Sequence, residues 1–181
     1  YELNGLFAWL LRQLGFNVTM LAAEVMNAKG EYGLPFDHMT LMVRLDEPWL
    51  ADVGFGDSFI EPLRLQTGRE HAQGQRRYRN DAVGDRFALL QRIGNDDWRT
   101  QYRFDLTPHE YGDYLEMCRY HQTSPDSPFT QRRICSLATT DRRITLTDTR
   151  FVITTGDDRR QRDLAGGDDY AEVLRNHFGV C

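Results

Sequence analysis

His38 and Asp52 are the pair in this 181-residue sequence whose residue types could do chemistry together. Each opens or sits on a strand of one apparent hairpin, and each breaks an otherwise apolar surround. A carboxylate that holds an imidazole fixes its tautomer and stabilises the imidazolium, which is the orienting role in nucleophile–base–acid triads. The plainer reading makes His38 a strand-edge histidine and Asp52 a turn-facing carboxylate. Spacing alone leaves both open. Register sharpens the question. Pairing Leu45 with Trp49 sets Met39, Leu41 and Val43 against Phe55, Val53 and Ala51 on one apolar face, with His38 and Asp52 together on the other. The two would then be offset by four residues, roughly 13 Å along a flat strand. Direct opposition requires a bulge or strong barrel coiling.

Other reactive side chains are sparse. The three cysteines, Cys118, Cys135 and Cys181, are widely spaced and odd in number, which is no disulfide framework and suits a reducing, cytoplasmic compartment. Cys118 falls in an expected helix and Cys135 at an apolar strand start, where inert buried thiols are the norm; Cys181 is terminal. His71, His109, His121 and His177 read as solvated or loop histidines. No CxxC or HExxH spacing is present, so no metal site is expected. Gly54 and Gly56 flank Phe55 in what reads as a tight turn needing positive φ, and GxG without a GxGxxG pattern is no dinucleotide fingerprint.

The elements that must position His38 and Asp52 follow from periodicity. Leu3, Leu6, Phe7, Leu10 and Leu14 recur at helical spacing, giving an amphipathic helix over residues 1–14 that Gly15 stops. Nothing ahead of Tyr1 caps this helix, so it is expected to extend upstream. From Phe16 the period becomes two. Strands are expected at Val18 to Ala22, Met39 to Leu45 and Trp49 to Phe55, then around Tyr78, and at Phe87 to Arg92, Trp98 to Phe104, Ile144 to Leu146 and Phe151 to Thr154. This is mostly antiparallel β, compatible with a barrel. Helices are expected at Pro108 to Tyr120 and Asp168 to Phe178, and Gln122 to Pro128 reads as the boundary loop. The chain is 40% hydrophobic and 27% charged with net charge -5, an ordinary globular balance with no basic face for nucleic acid. Its apolar runs are far shorter than the ~20 residues of a membrane span.

Four segments in order, Tyr1-Glu2-Leu3-Asn4-Gly5-Leu6-Phe7, Asp37-His38, Ala51-Asp52-Val53-Gly54-Phe55-Gly56 and Ser124-Pro125-Asp126-Ser127-Pro128-Phe129, resemble signatures of the arylamine N-acetyltransferases. Tyr102-Arg103-Phe104, Cys135-Ser136-Leu137 and the closing Phe178-Gly179 fit as well. The resemblance spans essentially the whole chain. It implies an α+β fold in three parts: residues 1–15 as the remnant of a helical bundle, 16–121 as an antiparallel β-barrel and 122–181 as an α/β lid, arranged like a cysteine protease. It further implies His38 as catalytic base and Asp52 as its orienting acid. Gly54, Gly56 and Ser127 would approach the coenzyme, and Phe55 and Phe129 would line the acceptor pocket. In that family an Arg-Gly-Gly-aromatic-Cys motif directly precedes Glu-x-Asn-Gly, so the nucleophilic cysteine would stand immediately before Tyr1, and residues 1–181 alone would be inactive. The implied activity transfers acetyl from acetyl-CoA, a co-substrate rather than a bound cofactor, to an arylamine, arylhydroxylamine or hydrazine. The implied partners are acetyl-CoA and a small aromatic amine. Two alternatives stand beside it: a macrolactam-forming amide synthase with the same triad, and a non-catalytic protein that binds CoA or aromatics.

Overall fold

The computed structural model describes residues 1–139, 141–156 and 158–180; Cys181 lies outside them. Contacts divide the chain into two compact units, Tyr1–Cys118 and Arg119–Cys181. The first unit opens with helix α1 (Glu2–Gln13), followed by β1 (Asn17–Val25), β2 (His38–Arg44), β3 (Pro48–Ala51), β4 (Leu63–Arg64), β5 (His71–Gln73), β6 (Arg76–Val83), β7 (Arg86–Ile93) and β8 (Arg99–Phe104). These form one eight-stranded sheet in the order β4-β3-β2-β1-β8-β7-β6-β5, antiparallel throughout. Past β4, Thr67 makes a parallel bridge to Asn80 on β6, which nearly closes the sheet into a barrel.

Strands β1 to β3 are apolar on both faces because both are covered. Leu21, Met42, Leu50, Tyr78, Leu89, Tyr102 and Phe104 belong to one core cluster. Val18, Met20, Met39, Leu41, Val43 and Ala51 belong to a second, packed against Ala8 of α1 and Tyr114. The covering face of α1 differs from the one its leucines suggest. Asn4 and Ala8 are buried and Tyr1, Phe7 and Leu11 pack beside them, whereas Leu3, Leu6, Leu10 and Leu14 are 45–65% exposed. The helix is apolar nearly all round, so periodicity alone does not choose a face. Ala8, the small residue, allows close approach to the sheet, and Asn4 finds partners there.

The β2–β3 hairpin is set two residues from the register expected above. Val43 faces Trp49 and Leu41 faces Ala51, and residues 45–47 form the turn, with the Leu45 N–H donating to the Glu47 carbonyl at 3.1 Å. Strand β3 ends at Ala51 rather than at Phe55. Continuing the ladder by one residue sets Asp52 opposite Thr40, with His38 its diagonal neighbour on the same face. The four-residue offset becomes two, and no bulge is required.

A 3₁₀ turn at Tyr111–Tyr114 leads into α2 (Leu115–Thr123), where the sequence suggested one helix from Pro108. Its start is fixed by a reciprocal cap between Glu110 and Asp113. The expected loop at Gln122 to Pro128 narrows to residues 124–127, because Gln122 and Thr123 complete α2 and a short helix, α3 (Pro128–Gln131), starts at Pro128, capped by the Ser127 hydroxyl. The second unit continues with β9 (Ile134–Ala138), β10 (Arg143–Thr147), β11 (Arg150–Thr155) and β12 (Asp158–Asp163) in a four-stranded antiparallel meander, then α4 (Gly167–Val173) and a π-helical turn to Phe178. Tyr170 and Val173 pack with Ile144, Leu146 and Phe151. Among the described residues no helix is long and apolar enough to cross a membrane.

Candidate active site

Asp52 leaves the end of β3 with its side chain wholly buried, and a buried carboxylate persists only if its oxygens are satisfied. Five donors converge on it. Oδ1 accepts from Asn4 Nδ2 at 2.8 Å, from the Gly54 N–H at 3.0 Å and from the Phe55 N–H at 3.1 Å. Oδ2 accepts from the Tyr102 hydroxyl at 3.1 Å and lies 2.6 Å from His38 Nε2. Burial by itself raises the Asp52 pKa. The adjacent His38, together with the Asn4 and Gly54 hydrogen bonds, outweighs it and holds the group below the ordinary carboxylate value.

The tautomer of His38 follows. An ionised carboxylate only accepts, so Nε2 carries the proton it shares with Asp52. In the neutral ring Nδ1 keeps a lone pair, and it makes no hydrogen bond among the described residues. The ring is fixed by packing as well, edge-on to Phe55 at 5.2 Å and tilted against Tyr102 at 5.4 Å between centroids. With the side chain 12% exposed, the group is an imidazole oriented on one nitrogen and available as a base on the other. It lies beside the first turn of α1, since Asn4 of that turn holds Asp52.

Asn4 and Tyr102 are the residues of this network that spacing did not single out. Asn4 is 1% exposed. Its amide donates to the Met39 carbonyl at 2.6 Å as well as to Asp52, and its oxygen accepts from the Val53 N–H at 2.9 Å. One side chain thus ties α1, β2 and the loop after β3. A polar residue on a helix face that also carries Ala8 was the available signal. Tyr102, fully buried, also lies 3.3 Å from the Thr40 hydroxyl. Its phenol is pushed well up by burial and by the Asp52 charge, so it stays a neutral donor.

Gly54 departs from the tight-turn expectation, because its φ is not positive. Glycine is required there for space: a Cβ would meet Asn4 Nδ2 at 2.8 Å. Gly56 also has no positive φ. Phe55 is half-buried, packed against the barrel core and edge-on to Tyr102 at 5.2 Å.

The remaining candidates, Cys118 apart, belong to the second unit. Ser127 is fully buried, and its hydroxyl accepts from the Phe129 N–H and lies 3.1 Å from His121 Nδ1. His121 is therefore a buried helix residue rather than a solvated one. Phe129 is 62% exposed, with its ring edge-on to His121 at 5.0 Å, so it is no core residue. Cys135 is half-buried on β9, and burial pushes its thiol up, away from the reactive thiolate. Cys118 is half-buried on α2.

The sequence model of the N-acetyltransferase family matches residues 1–181. The chain is 32% identical over 184 residues to an arylamine N-acetyltransferase of Escherichia coli strain K12, covering 99% of this chain and 65% of that protein. It is 28% identical over 180 residues to proansamycin X synthase of Amycolatopsis mediterranei, covering 96% and 68%. Its fold is similar to that of Mycobacterium marinum arylamine N-acetyltransferase in complex with CoA, with TM-score 0.89 and 27% identity, covering 98% of this chain and 67% of the other. The chain thus spans about two thirds of the length of these relatives.

Proposed function

Because the chain belongs to the arylamine N-acetyltransferase family, we propose that it carries the base and the orienting acid of a cytoplasmic, acetyl-CoA-dependent acetyl transfer to aromatic amines, arylhydroxylamines or hydrazines. The observation that carries this reading is His38, bound to buried Asp52 through Nε2 at 2.6 Å and open at Nδ1. The nucleophile is a cysteine thiolate at the position preceding Tyr1. There the positive end of the α1 dipole and the His38 imidazolium both lower a thiol's pKa.

In the first step the thiolate attacks the acetyl carbonyl of acetyl-CoA. The carbon–sulfur bond to CoA breaks, and the CoA sulfur takes the proton from His38 Nδ1 and leaves as the free thiol. In the second step the amine nitrogen attacks the enzyme thioester, its proton passes to Nδ1, and the cysteine departs as thiolate. Asp52 remains ionised throughout and balances the imidazolium. Gly54 and Gly56 let backbone approach the acyl-CoA arm, and Phe55 presents an apolar ring to a flat acceptor. Ser127, fully buried, acts toward the coenzyme by holding the start of α3. The CoA complex of the M. marinum relative supports acetyl-CoA as co-substrate.

The similarity to proansamycin X synthase favours a second reading, amide-bond formation from a larger acyl thioester by the same dyad. The test is acetyl transfer from acetyl-CoA to an arylamine by a protein with cysteine immediately ahead of Tyr1, beside its Asp52→Asn variant. The substitution keeps the shape but removes the counter-charge of the imidazolium, a loss on the order of 10⁴-fold in a comparable triad. Retention within about tenfold makes Asp52 a structural carboxylate. Transfer only from bulky acyl thioesters selects the second reading. Residues 1–181 alone are expected to show no turnover, and turnover by them assigns the nucleophile to Cys118, Cys135 or another group and overturns the mechanism.

A further inference from the structure

The turn that delivers His38 to the site is held in a conformation its sequence disfavours. Leu34, Pro35, Phe36 and Asp37 form a β-turn closed by the Asp37 N–H donating to the Leu34 carbonyl at 3.1 Å. Proline in the second position and a positive φ in the third define type II, whose third position is normally glycine. Here it is Phe36, with φ 64°, the one non-glycine residue with positive φ among those described. Such a residue costs on the order of 1–3 kcal/mol and persists only where its surroundings over-determine it.

The surroundings are identifiable. The Phe36 ring stands edge-on to His109 at 4.8 Å and to Tyr114 at 5.3 Å. Its carbonyl accepts a 2.8 Å hydrogen bond from the Tyr1 hydroxyl, which lies 3.3 Å from the Asp37 carbonyl as well. In a type II turn the central peptide is flipped relative to type I, and that choice sets how the following peptides run into β2. Tyr1 is the N-cap of α1, its side chain is 9% exposed, and its ring packs on Tyr114 at 5.7 Å. Burial raises the phenol's pKa, so it remains a donor across the working range.

We propose that Tyr1 is a positioning residue: its phenol clamps the strained Phe36 turn to the head of α1 and so fixes the distance between His38 and the nucleophile position. This rests on the dyad assignment above. Asn4 holds the orienting acid from the same helix end, while Tyr1 holds the strand entry that bears the base. Between them, the start of α1 and the dyad become one rigid body. The hydrogen bond to the carbonyl positions; the Phe36 ring only buttresses.

The test uses protein with cysteine immediately ahead of Tyr1. Tyr1→Phe removes only the hydroxyl and keeps the ring on Tyr114. Phe36→Gly accepts positive φ without strain and keeps the carbonyl. Misplacing catalytic groups by about 1 Å costs on the order of 10²-fold, so Tyr1→Phe is expected to slow acetyl-enzyme formation by about 10- to 100-fold, with the acceptor KM within about twofold. Phe36→Gly stays within about threefold. Alkylation of the α1 thiol, followed by peptide mass, is expected to slow about tenfold in Tyr1→Phe near pH 7. The variants converge above the ordinary thiol pKa of about 8.5, where ionisation no longer needs the imidazole. A merely structural role would not produce that convergence.

Tyr1→Phe within about twofold of the parent, while Asp52→Asn is severely impaired in the same assay, overturns the clamp and leaves the dyad standing. If Asp52→Asn is also unimpaired, both fall. Should Tyr1→Phe not fold, Phe36→Gly decides: a loss above about tenfold makes the ring, not the hydrogen bond, the positioning element and refutes the proposal.

Discussion

Replacing Asn4 with alanine probes the joint between α1 and the dyad. The side chain is 1% exposed and engages three groups: the Met39 carbonyl, the Asp52 carboxylate and the Val53 N–H. Truncation leaves the buried Met39 carbonyl without this partner, at about 1–3 kcal/mol, leaves the part-buried Val53 N–H without it at the low end of that range, and takes one donor from a buried charge. Alanine's better helix propensity returns about 0.7 kcal/mol. The balance is a destabilisation of about 3 kcal/mol, which at about 2–4 °C per kcal/mol for a chain of this size lowers the melting temperature by on the order of 10 °C. Urea denaturation and a thermal scan measure it, with Leu3→Ala as control. Leu3 lies on the same helix but is 62% exposed, so its loss belongs within about 0.5 kcal/mol. Equal effects of the two substitutions would refute the argument, because α1 would then be held by general apolar contact and not through Asn4.

Three further outcomes follow from the same network. Tyr102→Phe removes the 3.1 Å donor to Asp52 and is expected to cost about 1–2 kcal/mol by urea denaturation. Gly54→Ala drives a methyl into Asn4, so acetyl transfer should fall about tenfold or more while Gly56→Ala, lacking a positive φ to strain, loses less. Asp52 has a lowered folded pKa, so its contribution to stability is complete above the ordinary value of about 3.9 and disappears as pH falls through the depressed one. Asp52→Asn should therefore lose stability less steeply than the parent in that acid window, by up to about 1.4 kcal/mol per pH unit, as denaturation at stepped pH will show.

The pattern of sequence signals explains what could be read in advance. Alternation marked β1, β2, β7, β8, β10 and β11, since each has a clear apolar set. It failed for β12, where Asp158–Asp163 is exposed along its whole length and only pairing to β11 makes it a strand. It overran β3, because Val53 and Phe55 continue the period after the backbone has turned toward Asp52. Periodicity did not show which side of α1 meets the sheet, because leucines dominate the arithmetic while the stripe facing the sheet contains Asn4 and Ala8. His38 and Asp52 stood out as polar breaks in apolar strands, yet their contact depended on a two-residue register that only the 45–47 turn decides. The hydrogen bonds of Asn4 to Asp52, Tyr102 to Thr40 and Tyr1 to Phe36 are long-range, between 35 and 62 residues apart in sequence, and no local pattern encodes such partners.

In the proposed mechanism His38, oriented by Asp52, serves a thiol at the head of α1. The most direct measurement of this is peptide mass analysis after mixing acetyl-CoA, without acceptor, with protein bearing cysteine ahead of Tyr1. A single acetyl group is expected on that cysteine, discharged when an arylamine is added and absent from His38→Ala and Asp52→Asn on the same timescale. Acetylation of Cys118 or Cys135 instead, or a cysteine ahead of Tyr1 that charges equally fast without His38, would contradict it.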